Sequence, residues 1–164
     1  MRLAAVFFAL AIGANTISAQ DVGLAIGAKP AAVTLEDLDG KPVDLAQYVG
    51  KKPVLLEFWA TWCPLCKELE PSLHAAKKAH GAALEVLIVA VGVNQTPRSI
   101  KRHLESHTMP GPVLWDGKGA AVRAFEAPST SYIVVLDAAG KVVYTGAGGD
   151  QKLAPVLARV VGTK

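Results

Sequence analysis

Cysteine is scarce in this chain: two in 164 residues, Cys63 and Cys66. That count excludes a scaffold stapled by several disulfides, and it excludes a four-cysteine zinc centre. Charge is limited to 19% of residues and nearly balanced, with 17 Lys and Arg against 14 Asp and Glu. Aromatics make up only 6%. Nucleic-acid binding needs a long basic stripe or stacking platforms, and neither is present. The clusters Lys77-Lys78 and Arg98, Lys101, Arg102 read as solvated helix faces. No apolar run approaches the roughly 20 residues that span a bilayer. Internal repeats and low-complexity tracts are also lacking.

The longest apolar run, Leu3 to Ile12, follows Arg2 and precedes Gly13-Ala14-Asn15-Thr16-Ile17-Ser18-Ala19. A positive charge, a short apolar stretch and a small residue at a cut site describe a secretory leader. Residues 1–19 therefore read as a signal peptide cleaved after Ala19, and 20–164 as one domain with no internal linker. The alternative is an uncleaved N-terminal membrane anchor. Loss of the leader removes one cation, leaving 16 Lys and Arg against 14 Asp and Glu. Export places the two cysteines where a disulfide persists.

Apolar patterning predicts the elements. Strands are expected around Val33–Leu35 and Pro42–Leu45, joined by the Asp39-Gly40 turn, and at 54–60. A helix is expected from Pro64 to His80, ended by Gly81 and interrupted by Pro71. The run Leu84–Val93 reads as a central covered strand. Thr96 should cap a helix reaching about His107, and Val113–Trp115 and Gly119–Phe125 read as a short strand and helix. Strands Ser131–Leu136 and Val142–Thr145 should form a hairpin, followed by a helix capped by Asp150. The order is βαβαβ then ββα, an α/β sheet flanked by helices.

A buried strand, a short turn and C-x-x-C at a helix start together place a dithiol where the helix dipole and free backbone N–H groups favour thiolate. A bridge across two intervening residues stabilises little as a staple, because that effect grows with loop length. Its use lies in being made and broken. Cys66-x7-His74-x5-His80 is too tightly spaced for a zinc finger. Two thiolates also suit copper(I). His74, His80, His103 and His107 read as surface residues, with the last two sharing a helix face at i and i+4.

The segment Phe58-Trp59-Ala60-Thr61-Trp62-Cys63-x-x-Cys66, with Pro71 downstream and the lead-in Asp37-Leu38-Asp39-Gly40-Lys41-Pro42-Val43, resembles the thioredoxin superfamily. Within it, the chain is similar to the exported thiol-disulfide oxidoreductases of the TlpA/ResA type. The resemblance implies a thioredoxin-like fold, a central mixed sheet flanked by helices with an N-terminal β-hairpin extension. It implies a periplasmic enzyme that reduces disulfides of client proteins, in cytochrome c maturation or copper-site assembly. A membrane-embedded thiol donor would supply electrons, and no cofactor or metal is implied. Cys63 would attack and Cys66 resolve, with Trp62, Pro64 and Leu65 beside the client and Trp59 in the core. Competing readings are a disulfide-forming oxidase and a copper(I)-binding chaperone.

Two positions depart from the family pattern. The family's cis-proline before the last hairpin has Pro128 as its counterpart, spaced too far from Asp137, so either Pro128 is cis or Thr130 or Ser131 stands beside the sulfurs. Glu57 occupies the place of the buried aspartate of thioredoxins. There it acts as a proton relay for the buried thiol, or else escapes to solvent or pairs with a lysine.

Overall fold

The computed structural model describes residues 23–162. The expected leader and its cleavage site lie outside the described residues. The strands are β1 (Thr34–Glu36), β2 (Pro42–Asp44), β3 (Val54–Trp59), β4 (Glu85–Val91), β5 (Val113–Asp116), β6 (Tyr132–Leu136) and β7 (Val142–Ala147). The helices are α1 (Pro64–His80), α2 (Pro97–Leu104), α3 (Ala120–Ala124) and α4 (Leu153–Val161). Among the described residues no helix is long and apolar enough to cross a membrane.

The strands form one mixed sheet in the order β2-β1-β5-β4-β3-β6-β7. Parallel pairs β3–β4 and β4–β5 make its centre, and β6 runs antiparallel to β3. Every residue of β3 is buried, as is β4 beyond Glu85. Covered parallel strands require continuous apolar runs, and these two sequences supply them. The lead-in hairpin extends the sheet beyond β5, with Glu36 opposite Trp115. Both hairpins turn by the same device. Asp37 Oδ1 accepts from the N–H groups of Asp39 and Lys41, and Asp137 Oδ1 does so from Ala139 and Lys141. Gly40 and Gly140 then take left-handed φ of 81° and 76°, which a side chain would oppose.

α1 presents Cys66, Leu69, Leu73 and Ala76 to the core at helical spacing. Each fully buried leucine of that stripe contributes about 1.5–3 kcal/mol. Pro64 occupies the first turn, where its missing N–H costs nothing, and Gly81 at φ 53° ends the helix. Pro71 lies inside the helix on its exposed side.

β4 stops at Val91 and β7 runs on to Ala147, and two helix boundaries also differ from the sequence expectation by more than one residue. α2 ends at Leu104 rather than near His107. The His107 imidazole sits with Nδ1 3.0 Å from the His103 carbonyl, the group a continuing helix would offer to the His107 N–H. α4 begins at Leu153 without a side-chain cap, because its N-cap position falls on Lys152, two residues beyond Asp150.

Candidate active site

β3 delivers the chain to the turn Ala60–Trp62, and Cys63 becomes the N-cap of α1. Cys63 and Cys66 are joined in a disulfide, with Cα atoms 5.3 Å apart. The Cys63 sulfur accepts the Cys66 N–H at 3.1 Å. A sulfur capping a 17-residue helix lies at the positive end of the helix dipole, which favours its thiolate. Cys63 retains 6% of its surface and Cys66 only 1%, so access is graded from the first sulfur to the second.

Three contacts fix the turn. Thr61 N–H donates to Gln95 Oε1 at 3.0 Å, and Gln95 Nε2 donates to the Val91 carbonyl at 2.8 Å. Trp62 Nε1 donates to the Val93 carbonyl at 2.8 Å. Gln95 thus ties the loop after β4 to the turn carrying Cys63. Trp62 and Leu65 remain about half exposed, at 47% and 45%, and Val93 joins them as an exposed apolar neighbour.

Alternation along β3 puts Glu57 on the face of Leu55 and Trp59, opposite Phe58. Phe58 packs on Phe125 and Tyr132, with ring centroids 5.9 Å away in each case. Glu57 is wholly buried, and neither carboxylate oxygen has a hydrogen-bond partner. Burial, and secondarily the negative charge of Glu70 on α1, pushes its pKa up to about 8. The carboxyl is therefore protonated at neutral pH. It neither escapes to solvent nor pairs with a lysine.

A groove of about 320 Å³ runs beside Cys63, walled by Trp59, Pro64, Lys67, Glu70, His103 and His107 among others. The two imidazoles stack face to face, centroids 4.0 Å apart and planes 7° from parallel, and His103 meets the Trp59 ring at 5.6 Å. Burial, then the neighbouring His107, lowers the His103 pKa, and Glu70 opposes that shift. Parallel stacked rings direct their in-plane lone pairs side by side rather than onto one ion. Among the described residues no three His, Cys, Asp or Glu side chains are grouped as metal ligands.

The cis-proline expectation is corrected by the structure. Every described peptide bond is trans, and Pro128 is exposed in the loop before β6. Glu126 and Ser131 take left-handed φ in this connection, and Ser131, at φ 57°, is the buried one of the two. Its N–H donates to the Phe58 carbonyl at 2.8 Å, and its own carbonyl accepts from Gln151 Nε2 at 3.0 Å. The pairing with β3 therefore starts at Ser131, three residues beyond Pro128, which accounts for the long spacing to Asp137.

The Redoxin family model matches residues 25–160. The chain belongs to the Redoxin family, as a thiol-disulfide oxidoreductase of the ResA type. It is 30% identical over 129 residues to the thiol-disulfide oxidoreductase ResA of Bacillus subtilis, covering 79% of this chain and 71% of that one. Its fold is similar to that of a protein described as thiol:disulfide interchange protein DsbE from Chlorobium tepidum. That likeness has a TM-score of 0.76 and 23% identity, and covers 85% and 99% of the two chains. The exposed lipoprotein thioredoxin of Streptococcus pneumoniae is similar at TM-score 0.64 and 27% identity, covering 79% of this chain and 99% of that one.

In this Redoxin-family chain the fold brings Trp59, Trp62, Cys63 and Pro64 into one groove, with Cys66 behind and Leu65 on the outer side of the helix start. Pro128 does not line that groove. Gln95 and Glu70 escaped the sequence reading, and the two histidines were read there as surface residues. The i, i+4 spacing of His103 and His107 was the one signal available for them.

Proposed function

We propose that this chain is an exported, periplasmic protein-disulfide reductase, drawing electrons from a membrane-embedded thiol donor and acting on cytochrome c or copper-site clients. The observation that carries the reading is the sulfur of Cys63 capping α1 and hydrogen-bonded by the Cys66 N–H, with a buried, unpartnered carboxyl at Glu57 on β3 that feels the charge of Glu70 on that helix. The Cys63 thiolate attacks a client disulfide, forming a mixed disulfide and releasing one client thiolate. Cys66 then loses its proton to the ionised form of Glu57, a minority at neutral pH that grows as pH rises towards 8, and attacks the Cys63 sulfur. The second client thiolate leaves, and two electrons have passed to the client. A carboxyl with pKa about 8 is well matched to a thiol of ordinary pKa about 8.5, so this proton transfer is nearly balanced.

Trp62, Pro64 and Leu65 receive the client around Cys63, and the exposed Pro128 is an outlying contact on the loop leading to Ser131. The absence of a basic residue between the cysteines supports a reductant over an oxidant, since no cation there stabilises the thiolate. The copper(I) reading gains no third ligand from this geometry. His74 Nε2 lies 2.9 Å from the Thr108 carbonyl, and His103 and His107 are stacked.

The test offers the reduced protein an oxidised C-x-x-C-H peptide and, separately, insulin. Faster reduction of the peptide supports a cytochrome client, and equal rates favour another client. Net oxidation of the reduced peptide by the disulfide form, with no reduction in the forward direction, overturns the reductase reading.

A further inference from the structure

The mechanism leaves His103 and His107 unused, although they wall the same groove as Cys63. Two imidazoles in face-to-face contact do not both carry a proton readily, because like charges at that separation repel. Behind them the Trp59 ring closes the groove on the core side. The charged and titratable groups facing the pair are few. α1 contributes Lys67 and Glu70, with His74 Nε2 3.7 Å from Glu70 Oε1. The turn after β3 contributes Cys63, while Glu57 on β3 is buried and does not line the groove. The pair's own segment carries Arg98, Lys101, Arg102 and Glu105, of which Lys101 is engaged by Asp39.

We propose that the stacked His103–His107 pair is the titrating electrostatic partner of Cys63. Carrying a single proton, it stabilises the Cys63 thiolate across the groove and couples imidazole protonation to the redox state. The proposal rests on the reading of Cys63 as the attacking thiolate. The cation that many dithiol sites place between the cysteines would here come from the segment at the end of α2, and only when that segment is protonated.

The direction of the coupling follows from linkage. In the disulfide form the His103 pKa sits below its ordinary value, through burial and the adjacent His107. Reduction takes two electrons and one proton to give the Cys63 thiolate and the Cys66 thiol. The new negative charge raises the affinity of the pair for a proton, so reduction takes up a further proton within that pH window. Reciprocally, a protonated pair holds the Cys63 thiolate at lower pH. For unit charges facing across a partly solvated groove of this size, the shift is about half a pH unit, or roughly threefold in thiolate.

The test follows the imidazole Cε1–H resonances against pH in three forms: disulfide, dithiothreitol-reduced, and reduced Cys63→Ser. The expected result is a His103 midpoint about half a unit higher in the reduced protein, with Cys63→Ser tracking the disulfide form. Identical midpoints in all three forms overturn the proposal, as does a Cys63→Ser protein that shifts as far as the unsubstituted one. A second readout is iodoacetamide alkylation of Cys63, compared with a His103→Gln/His107→Gln variant. More thiolate with lower intrinsic nucleophilicity gives an advantage of about twofold at pH 5.5, vanishing above pH 8. A ratio of one throughout contradicts the coupling. Selective alkylation of Cys63 over Cys66 checks the attacking-thiolate reading separately, whatever the histidines do.

Discussion

Replacement of Glu57 by leucine should make the protein more stable, and increasingly so as pH rises from 4.5 towards 8. In the unfolded chain this carboxyl ionises at about its ordinary value of 4.5, whereas in the fold it keeps its proton up to about 8. Between those values folding takes up a proton, so stability falls as pH rises. Each pH unit inside the window costs about 1.4 kcal/mol, so the unsubstituted protein at pH 7 carries a penalty of roughly 3 kcal/mol relative to pH 4.5. Leucine has no proton to take up and fills a similar volume among Leu55, Ile88 and Ile133, the last two facing Glu57 on the neighbouring strands. It also removes two buried oxygens with no hydrogen-bond partner, a gain independent of pH. Urea unfolding of the disulfide form of both proteins at pH 4.5, 6, 7 and 8 measures the difference directly. The account requires the two stability curves to diverge with pH. Curves that run parallel across this range would refute the claim that Glu57 is a buried carboxyl without a partner.

Three other substitutions test the site. Glu57→Gln should slow disulfide exchange near neutral pH and remove the limb of the pH–rate profile with apparent pKa near 8; an unchanged profile sinks the relay. Cys66→Ser should halt at the mixed disulfide between Cys63 and the client, visible as a stable adduct by mass spectrometry, and turnover at the usual rate would contradict the assigned order of attack. Gln95→Ala leaves the Thr61 N–H without its acceptor, while the Val91 carbonyl keeps only the Val93 N–H as donor. The expected loss is about 1–3 kcal/mol in urea unfolding, and a loss too small to measure would show that Gln95 does not hold the turn.

The elements nearest the site were legible because local signals agree there. β3 and β4 are unbroken apolar runs, and Pro64 and Gly81 mark both ends of α1. The residues flanking the two cysteines identify the chemistry before any geometry is known. Features that depend on distant parts of the chain were not legible. The isolation of Glu57 follows from the neighbours that β4, β6 and α1 supply. The imidazole pair reads as a surface face until Trp59 and Glu70 are brought against it. The cis-proline expectation transferred a family feature onto the one proline available, whereas the pairing of Ser131 with Phe58 shifts the critical backbone three residues along.

The most direct test of the reductase reading is the equilibrium reduction potential of the Cys63–Cys66 couple in protein lacking residues 1–19, measured against a series of dithiothreitol or glutathione buffers. The account predicts a value near the roughly −270 mV of thioredoxin. A value near the roughly −120 mV of DsbA would contradict it and identify an oxidant built on the same dithiol.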